Sequence, residues 1–240
     1  IDPRDGSYYA AERMTGEVVK VSSDGKELFR IKNLSPIEDL EGMGCLKKTE
    51  GCHNVYKGMK IVFESIDDID ISPVDSSVWV ADTAHKRILK FTKEGVLITG
   101  RNGVGEAEHL AAASDGSCWV NNIDEKEGRI FKVSGDGTKI LAKIEKLDFP
   151  FELSVSPLDN ACWLTTRTEL LQIAPDGKSV LKRIKGFRHL QGISLVNPRD
   201  GSFWVADYFG REIIKFSKDG EIIKRVGGFE RPRFLDVFWG

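Results

Sequence analysis

The histidines of this 240-residue chain are the first side chains to consider for chemistry, and the chain has four of them. His85, His109 and His189 lie on or near predicted loops, where a bound metal or substrate would be accessible. None of them has the His-x-His or His-x-x-x-His spacing that is typical of zinc ligands. The histidine spacing therefore does not indicate a zinc site.

A second set of candidate residues is acidic and lies on or near short predicted strands. It comprises Glu38, Asp68, Asp70, Glu152 and Asp236, which a ring-shaped fold would bring together near its axis. Converging carboxylates need a cation or shared protons, and calcium favours oxygen ligands. We expect no cofactor; the alternative is an axial calcium ion held by Glu38, Asp68 and Glu152. In a third interpretation the same carboxylates face water and hold no specific ion.

The elements that must position these residues are repeats of about 40 residues. Five segments of the type Asp200-Gly-Ser-Phe-Trp-Val-Ala-Asp207 align without gaps. Each is followed by a polar loop, an alternating strand and an Asp-Gly or Glu-Gly turn; Asp-Gly between such strands is a strong hairpin signal. A short strand also precedes most copies. Each repeat is therefore predicted to form a four-stranded antiparallel sheet, the blade of a β-propeller.

The spacing of the aligned aromatic residues predicts the number of blades. Tyr9, Trp79, Trp119, Trp163 and Trp204 are separated by 70, 40, 44 and 41 residues. Because the first interval is too long for one blade, we expect six blades, with residues 36–65 as a degenerate second blade. Five blades with residues 36–65 as a disulfide-closed insertion are the alternative. The whole chain, residues 1–240, is predicted to be a single all-β domain.

The two ends of the chain predict how the ring closes. Residues 1–6 align with residues 196–201, which follow an inner strand, so the first blade lacks an inner strand of its own. Residues 232–237 match residues 150–155, which enter an inner strand. We therefore expect the C-terminal residues to complete the N-terminal blade and to leave no free strand edge.

Residues 75–95, which include Ala-Asp-Thr-Ala-His-Lys-Arg-Ile, and residues 200–220 resemble NHL-type repeats. The resemblance covers nearly the whole chain except about residues 36–65. It implies a six-bladed propeller whose relatives are mostly binding or scaffold modules, with some lyases and hydrolases on the same framework. It also implies that the last acidic residue of the motif, Asp82 or Asp207, is chiefly structural. Activity does not follow from the fold alone.

Loops at one end of such a ring, here called the loop face, are the expected binding surface. They comprise the loops between the second and third strands of each blade and the loops that lead into each inner strand. The candidate ligand-binding residues on the loop face are Arg13, His85, Lys86, His109, Asn122, Phe151, Arg167, His189, Gln191, Tyr208, Phe209, Arg211, Arg233 and Phe234. Aromatic and arginine side chains dominate interaction hot spots.

These residues lead us to expect a non-enzymatic scaffold that recognises a protein, peptide or glycan through the loop face. One alternative is a metal-dependent lyase or hydrolase that acts at the axial opening. The other is a set of solvated loops with no ligand.

Composition and cysteine placement narrow the remaining classes. Lys plus Arg (35) nearly balances Asp plus Glu (37), so the chain lacks the positive field of nucleic-acid-binding proteins. No apolar run approaches the length of a membrane span. Cys45 and Cys52 are spaced to close a hairpin by a disulfide, which predicts a secreted or periplasmic protein. Cys118 and Cys162 each precede a strand tryptophan and are predicted to be buried apolar residues.

Overall fold

The computed structural model of the chain describes residues 5–12, 17–31, 66–123, 128–235 and 237. These residues form nineteen strands in five antiparallel sheets, and no helix occurs among them. A helix able to cross a membrane is accordingly not found in this part of the chain. The predicted Cys45–Cys52 disulfide, Arg13 and Glu38 lie outside the described residues, whereas Cys118 and Cys162 are fully buried free thiols, which confirms that prediction.

The sheets follow one another along the chain. The first sheet contains β1 (Tyr8–Glu12), β2 (Glu17–Val21) and β3 (Glu27–Ile31). The second contains β4 (Ile66–Ile71), β5 (Val78–Asp82), β6 (Arg87–Phe91) and β7 (Leu97–Asn102). The third contains β8 (Ala107–Ala112), β9 (Cys118–Ile123), β10 (Gly128–Val133) and β11 (Ile140–Leu147). The fourth contains β12 (Leu153–Val155), β13 (Cys162–Thr165), β14 (Glu169–Ile173) and β15 (Val180–Lys185). The fifth contains β16 (Leu190–Ile193), β17 (Phe203–Asp207), β18 (Glu212–Phe216) and β19 (Ile222–Gly227).

The predicted turns between the third and fourth strands form at every copy, but their geometry differs from the two-residue turn that we expected. Positive φ is confined to the glycine, as at Gly177 (φ 73°) and Gly220 (φ 78°), and the preceding aspartate keeps a negative φ. A register shift follows in each hairpin, for example between Gln172 and Ile173. This combination is typical of a longer turn with a bulge, which increases the strand twist.

Face-to-face packing of consecutive sheets forms the core. Trp163 of β13 lies 4.7 Å, ring to ring, from Phe203 of β17 in the next sheet. Trp79 and Trp119 are buried in the same way beneath the third and fourth sheets. Trp204 occupies the equivalent place in the fifth sheet, yet it remains partly exposed, and none of the hydrophobic clusters of the described residues includes it. The arrangement is propeller-like, with the tryptophans of the second, third and fourth sheets each covered by the sheet that follows.

The first and second sheets pack directly against each other. The Tyr9 hydroxyl donates a hydrogen bond to the Lys93 carbonyl (3.3 Å), and the Gly95 turn lies against the ring of Phe29. The degenerate second blade that we expected from residues 36–65 stays a prediction. Residues 32–65, on which that prediction falls, lie outside the described residues.

The closing strand that we expected from residues 232–237 is not formed in the described residues. The first sheet has three strands, and residues 231–235 adopt no strand. Pro232 has no N–H to donate to a strand ladder. The carbonyl of Arg233 lies instead against Gly192 of β16, where a Cβ would come within 2.4 Å of its oxygen. The C-terminal segment therefore follows the inner edge of the fifth sheet.

Candidate functional site

Backbone hydrogen bonds join the loops at one end of the fourth and fifth sheets. The Arg167 N–H donates to the Asp148 carbonyl (3.1 Å), and the Arg167 carbonyl accepts from Leu190 N–H (3.0 Å). The Tyr208 N–H donates to the His189 carbonyl (2.8 Å). Because strands alternate in direction, the loops that carry these residues must emerge at the same end. They form part of the predicted loop face.

Four aromatic rings from three of these loops contact one another on the loop face. The His189 ring lies 5.1 Å from Phe151, 5.9 Å from Tyr208 and 5.1 Å from Phe209, between centroids. Tyr208 and Phe209 are themselves 4.9 Å apart in an edge-to-face arrangement. We call Phe151, His189, Tyr208 and Phe209 the aromatic cluster. All four are among the residues predicted from the sequence.

The surroundings of His189 favour the neutral form of its imidazole. Burial lowers the pKa of this imidazole, and the positive charge of Arg167 lowers it further. His189 Nε2 lies 3.2 Å from Nε2 of Gln191, within hydrogen-bonding distance, so a neutral imidazole can accept a bond from the amide. At neutral pH the aromatic cluster therefore carries a neutral imidazole at its centre.

Exposed aromatic residues also occur in the chain segments that carry the aromatic cluster and in the C-terminal segment. Phe209 is 52% exposed, Phe149 45% and Phe234 70%. The Arg167 guanidinium lies 4.0 Å from the centre of the Phe149 ring, and the Arg231 guanidinium lies 5.8 Å from that of Tyr208. Such a concentration of exposed aromatic rings and stacked guanidinium groups is typical of an interaction surface.

Two buried polar residues hold the loops of the aromatic cluster in place. The Asp207 carboxylate accepts hydrogen bonds from the N–H groups of Arg188 (2.9 Å), His189 (2.9 Å) and Gly210 (2.8 Å). Asn121 accepts from the His109 N–H (2.6 Å) and donates to the Pro150 carbonyl (3.0 Å). Asp207 has the structural role that the motif predicted. Sequence reasoning missed Asn121, whose only signal is an amide at the end of a strand.

A cavity of about 360 Å³ runs between the inner strands. Three carboxylates line it, and none of the described lining residues carries a positive charge. The described lining residues are Asp68, Ile69, Asp70, Leu110, Ala111, Ala112, Glu152, Leu153, Ser154, Val155, Ile193, Leu195 and Leu235. Glu152 directly follows Phe151, so the loop that supplies one ring of the aromatic cluster also supplies one acid of the cavity.

The cavity carboxylates also link neighbouring sheets. Asp68 accepts a hydrogen bond from Leu110 N–H, and Glu152 accepts one from Ile193 N–H, each at 2.7 Å. Asp70 does the same for the N–H of Ala112 at 2.7 Å. The inner strands are sheet edges with unpaired N–H groups. Each acid therefore accepts a hydrogen bond from the exposed edge of the next inner strand. The sequence did not predict this role.

Burial controls the ionisation of Asp70 and Glu152. It raises the pKa of Asp70 to about 7 and that of Glu152 to about 7. Burial also lowers the pKa of His109, but attraction to Asp68 and to Glu152 outweighs it, so the pKa of His109 is raised overall. His109 Nδ1 lies 3.7 Å from Oδ2 of Asp68. His109 is therefore associated with the acidic cavity and not with the aromatic cluster.

Other predicted site residues make separate contacts. His85 Nδ1 lies 2.7 Å from the buried Asp82 carboxylate, and Lys86 Nζ pairs with Glu106 at 3.0 Å. Asn122 is buried against Gly105, and Arg211 accepts a backbone hydrogen bond from Phe229 N–H. The structure does not bring these side chains into the aromatic cluster.

The predicted calcium site stays a prediction. Two of its three ligands, Asp68 and Glu152, line the same cavity, while Glu38 is outside the described residues. Within residues 5–12, 17–31, 66–123, 128–235 and 237, no group of three or more His, Cys, Asp and Glu side chains is arranged to hold a metal ion.

Comparison with solved structures relates the fold to a group of enzymes. A streptogramin B lyase structure superposes with a TM-score of 0.68 at 16% identity, over 96% of this chain and 70% of that chain. Virginiamycin B lyase from Staphylococcus aureus gives 0.63 at 19% identity, over 95% and 73%. A catalytically inactive variant of that enzyme, solved with quinupristin, gives 0.63 at 18% identity, over 96% and 73%.

The likeness concerns the propeller-like fold and not a family. No protein-family model matches the chain, and no curated protein matches it by sequence. The NHL-type resemblance therefore stays a prediction.

Proposed function

We propose that this chain is a binding protein that recognises a peptide with an aromatic side chain at the aromatic cluster on its loop face. The observation that carries the proposal is the contact of Phe151, His189, Tyr208 and Phe209, which come from three different loops. Packing of the hydrophobic core does not explain exposed aromatic rings at this position. A ligand ring can contact Phe209 and Phe149 and displace water from both.

Hydrogen-bonding groups beside the rings favour a peptide over a purely apolar ligand. Gln191 and His189 offer an amide and a neutral imidazole next to the rings. Arg167, which is stacked on Phe149, can reach a peptide carbonyl. A few polar groups within an aromatic surface are typical of sites that fix the orientation of a ligand.

Chemical-shift mapping of the ¹⁵N-labelled protein tests the proposal. The probes are acetyl-Gly-Phe-Gly-amide, acetyl-Gly-Leu-Gly-amide and cellotetraose. We expect the Phe peptide to shift the amides of residues 149–152, 188–191 and 207–210 and to bind at least tenfold more tightly than the Leu peptide. If only cellotetraose shifts these amides, the ligand is a glycan, and the peptide proposal is wrong.

A pair of variants assigns the binding to the aromatic cluster. Phe209→Ala removes an exposed ring of the cluster, while Leu158→Ala removes a side chain of similar exposure, 51%, at the other end of the fourth sheet. We expect Phe209→Ala to weaken Phe-peptide binding about tenfold or more, because aromatic hot spots contribute at least this much. Leu158→Ala should leave it unchanged.

A lyase or hydrolase that acts at the axial opening is the second candidate. It is supported by the streptogramin B lyase neighbours and by His109, an imidazole beside Asp68 and Glu152. Groups with a pKa near neutrality can act as general acids or bases. Chromatography of quinupristin incubated with the protein, and with His109→Gln as control, tests this candidate. Conversion that depends on His109 would establish an enzyme.

The number of blades is a further part of this proposal. Direct packing of the first two sheets, through Tyr9 and Phe29, supports the five-blade alternative with residues 36–65 as an insertion.

A further inference from the structure

The acidic cavity lacks a counter-charge along its described lining. Asp68, Asp70 and Glu152 contribute three carboxylates, and no Lys or Arg is among the described lining residues. His109, whose Nδ1 lies 3.7 Å from Oδ2 of Asp68, is a neighbouring group that can carry a positive charge. A group of carboxylates removed from water favours any cation that can enter.

Among the three cavity carboxylates, Glu152 has the most unused capacity to accept hydrogen bonds from a ligand. One of its oxygens, Oε2, accepts the Ile193 N–H. Asp68 and Asp70 use both of their oxygens, because each also accepts the N–H of the residue that follows it, Ile69 or Ile71, at 2.8 Å. The second oxygen of Glu152 is therefore the best placed to accept a new hydrogen bond.

A second polar group in the cavity is also without a partner. The Ser154 hydroxyl is buried, Ser154 lines the cavity, and this hydroxyl has no hydrogen-bond partner within the described residues. A buried hydroxyl that stays unpaired loses the hydrogen bonds that it would make with water. A polar ligand group that enters the cavity can recover part of this loss.

The cavity and the aromatic cluster are built from neighbouring residues of the same two chain segments. Phe151 and Glu152 are consecutive residues, and Gln191 beside His189 is two residues from Ile193, which lines the cavity. The cavity volume of about 360 Å³ falls in the range of small-ligand sites, roughly 300 to 1,000 Å³. A ligand can thus contact the rings and the acids together.

We propose that the ligand is a peptide whose amino-terminal residue is aromatic, with its ring on the aromatic cluster and its α-ammonium group at Glu152 in the acidic cavity. The inference rests on the proposed function and names its ligand class. The α-ammonium nitrogen and the aromatic side chain are attached to the same Cα, so one amino-terminal residue supplies both the charge and the ring. A free amino terminus also donates three hydrogen bonds, which suits a site rich in acceptors.

Matched peptides test the inference in the 240-residue chain. The probes are Phe-Gly-Gly-amide with a free amino terminus, its acetylated form, and Leu-Gly-Gly-amide with a free amino terminus. Isothermal titration calorimetry at pH 7.5 should show the free Phe peptide binding at least tenfold more tightly than the acetylated one and than the Leu peptide.

A variant pair identifies the acid. Glu152→Gln keeps an oxygen that can accept the Ile193 N–H but removes the charge, and Glu94→Gln removes a charge from an exposed turn. We expect Glu152→Gln to abolish the preference for the free amino terminus while acetyl-Phe-Gly-Gly-amide still binds. Glu94→Gln should keep the preference. A thermal melt of each variant checks that the fold is retained.

The outcomes separate this inference from the proposed function. Equal affinity for the free and acetylated Phe peptides would overturn the ammonium site and leave the aromatic site standing. Failure of both Phe peptides to bind would overturn both proposals. Equal weakening of both Phe peptides by Glu152→Gln would show a structural role for Glu152 and would also overturn the ammonium site.

The pH dependence adds a second readout. Glu152, whose pKa is about 7, faces Asp68 on β4 and His109 on β8, while Asp70 lines the same cavity. Affinity for the free peptide should rise from pH 6 to pH 7.5 as Glu152 ionises. It should fall above about pH 8, where a peptide amino terminus loses its proton. Binding that is independent of pH over this range would contradict the proposal.

Discussion

The carboxylate of Asp207 accepts a hydrogen bond from the backbone N–H of His189 at 2.9 Å, across a separation of 18 residues. The same carboxylate binds the N–H of Gly210, which follows Phe209. One buried acid in β17 therefore positions two of the loops that build the aromatic cluster.

Replacing Asp207 should destabilise the protein and disorder the aromatic cluster. Asp207→Ala leaves three backbone N–H groups without their acceptor, at a cost of about 1 to 3 kcal/mol for each that stays buried. Urea denaturation should show a loss of at least about 2 kcal/mol. Glu221→Ala, at an exposed turn of the same sheet, is the control and should change stability by less than about 0.5 kcal/mol. Similar losses in the two variants would contradict the assigned role of Asp207.

A methyl group at residue 192 should displace the C-terminal segment. The added carbon of Gly192→Ala would lie 2.4 Å from the Arg233 carbonyl oxygen, so residues 231–235 must move. Hydrogen exchange of residues 229–235 should become faster in this variant. Gly227→Ala is the matched control, since its added carbon meets no atom within 4 Å. Unchanged exchange in Gly192→Ala would mean that the segment does not rest on β16.

The exposed Trp204 should contribute less stability than its buried counterparts. Trp163 is covered by Phe203 of the next sheet, and its replacement by Ala should cost about 3 to 5 kcal/mol. Trp204→Ala should cost about half as much, because no described sheet covers its ring. Urea denaturation compares the two variants. Equal costs would show that another part of the chain covers Trp204.

Stability should fall between pH 5 and pH 7 because of Asp70. Its pKa of about 7 in the folded chain exceeds the ordinary aspartate value, so the folded state holds a proton that the unfolded chain has released. This contribution is complete below about pH 4 and is lost as the pH rises through 7. Urea denaturation at pH 5 and pH 7 should show a smaller loss in Asp70→Asn than in the natural chain.

The variant is needed because other groups titrate in the same range. The raised pKa values of Glu152 and His109 act in the same direction as that of Asp70, whereas the lowered pKa of His189 acts in the opposite direction. An unchanged difference between pH 5 and pH 7 in Asp70→Asn would contradict the assignment to Asp70.

Much of the candidate site could be predicted because turn and strand signals are local. Phe151, His189, Tyr208 and Phe209 flank strands whose ends are clear in the repeat, so all four could be placed on one face from sequence. Their mutual contact was not predictable, since it depends on the angle between consecutive sheets. The cavity acids were expected at the axis, but their bonds to the neighbouring inner strands follow from sheet packing.

Blade number and ring closure were the least predictable features. The aromatic spacing favoured six blades, and this number stays a prediction; Tyr9 and Phe29 show that the first two described sheets are direct neighbours. Residues 232–237 matched an inner strand, but the described part of this segment lies along β16 without forming one. A repeat pattern specifies each sheet and carries no information about which sheet faces which.

The sequence by itself determined the antiparallel sheets, the positions of the turns that join their strands and the burial of Trp79, Trp119, Trp163, Cys118 and Cys162. These features arise from alternating side chains and from glycine at positive φ, which act over a few residues. Tertiary structure alone decided which loops meet around His189, which N–H groups Asp207 and Glu152 accept, and how far Trp204 is covered. Such contacts join residues far apart in the chain, so their energies depend on the packing of whole sheets.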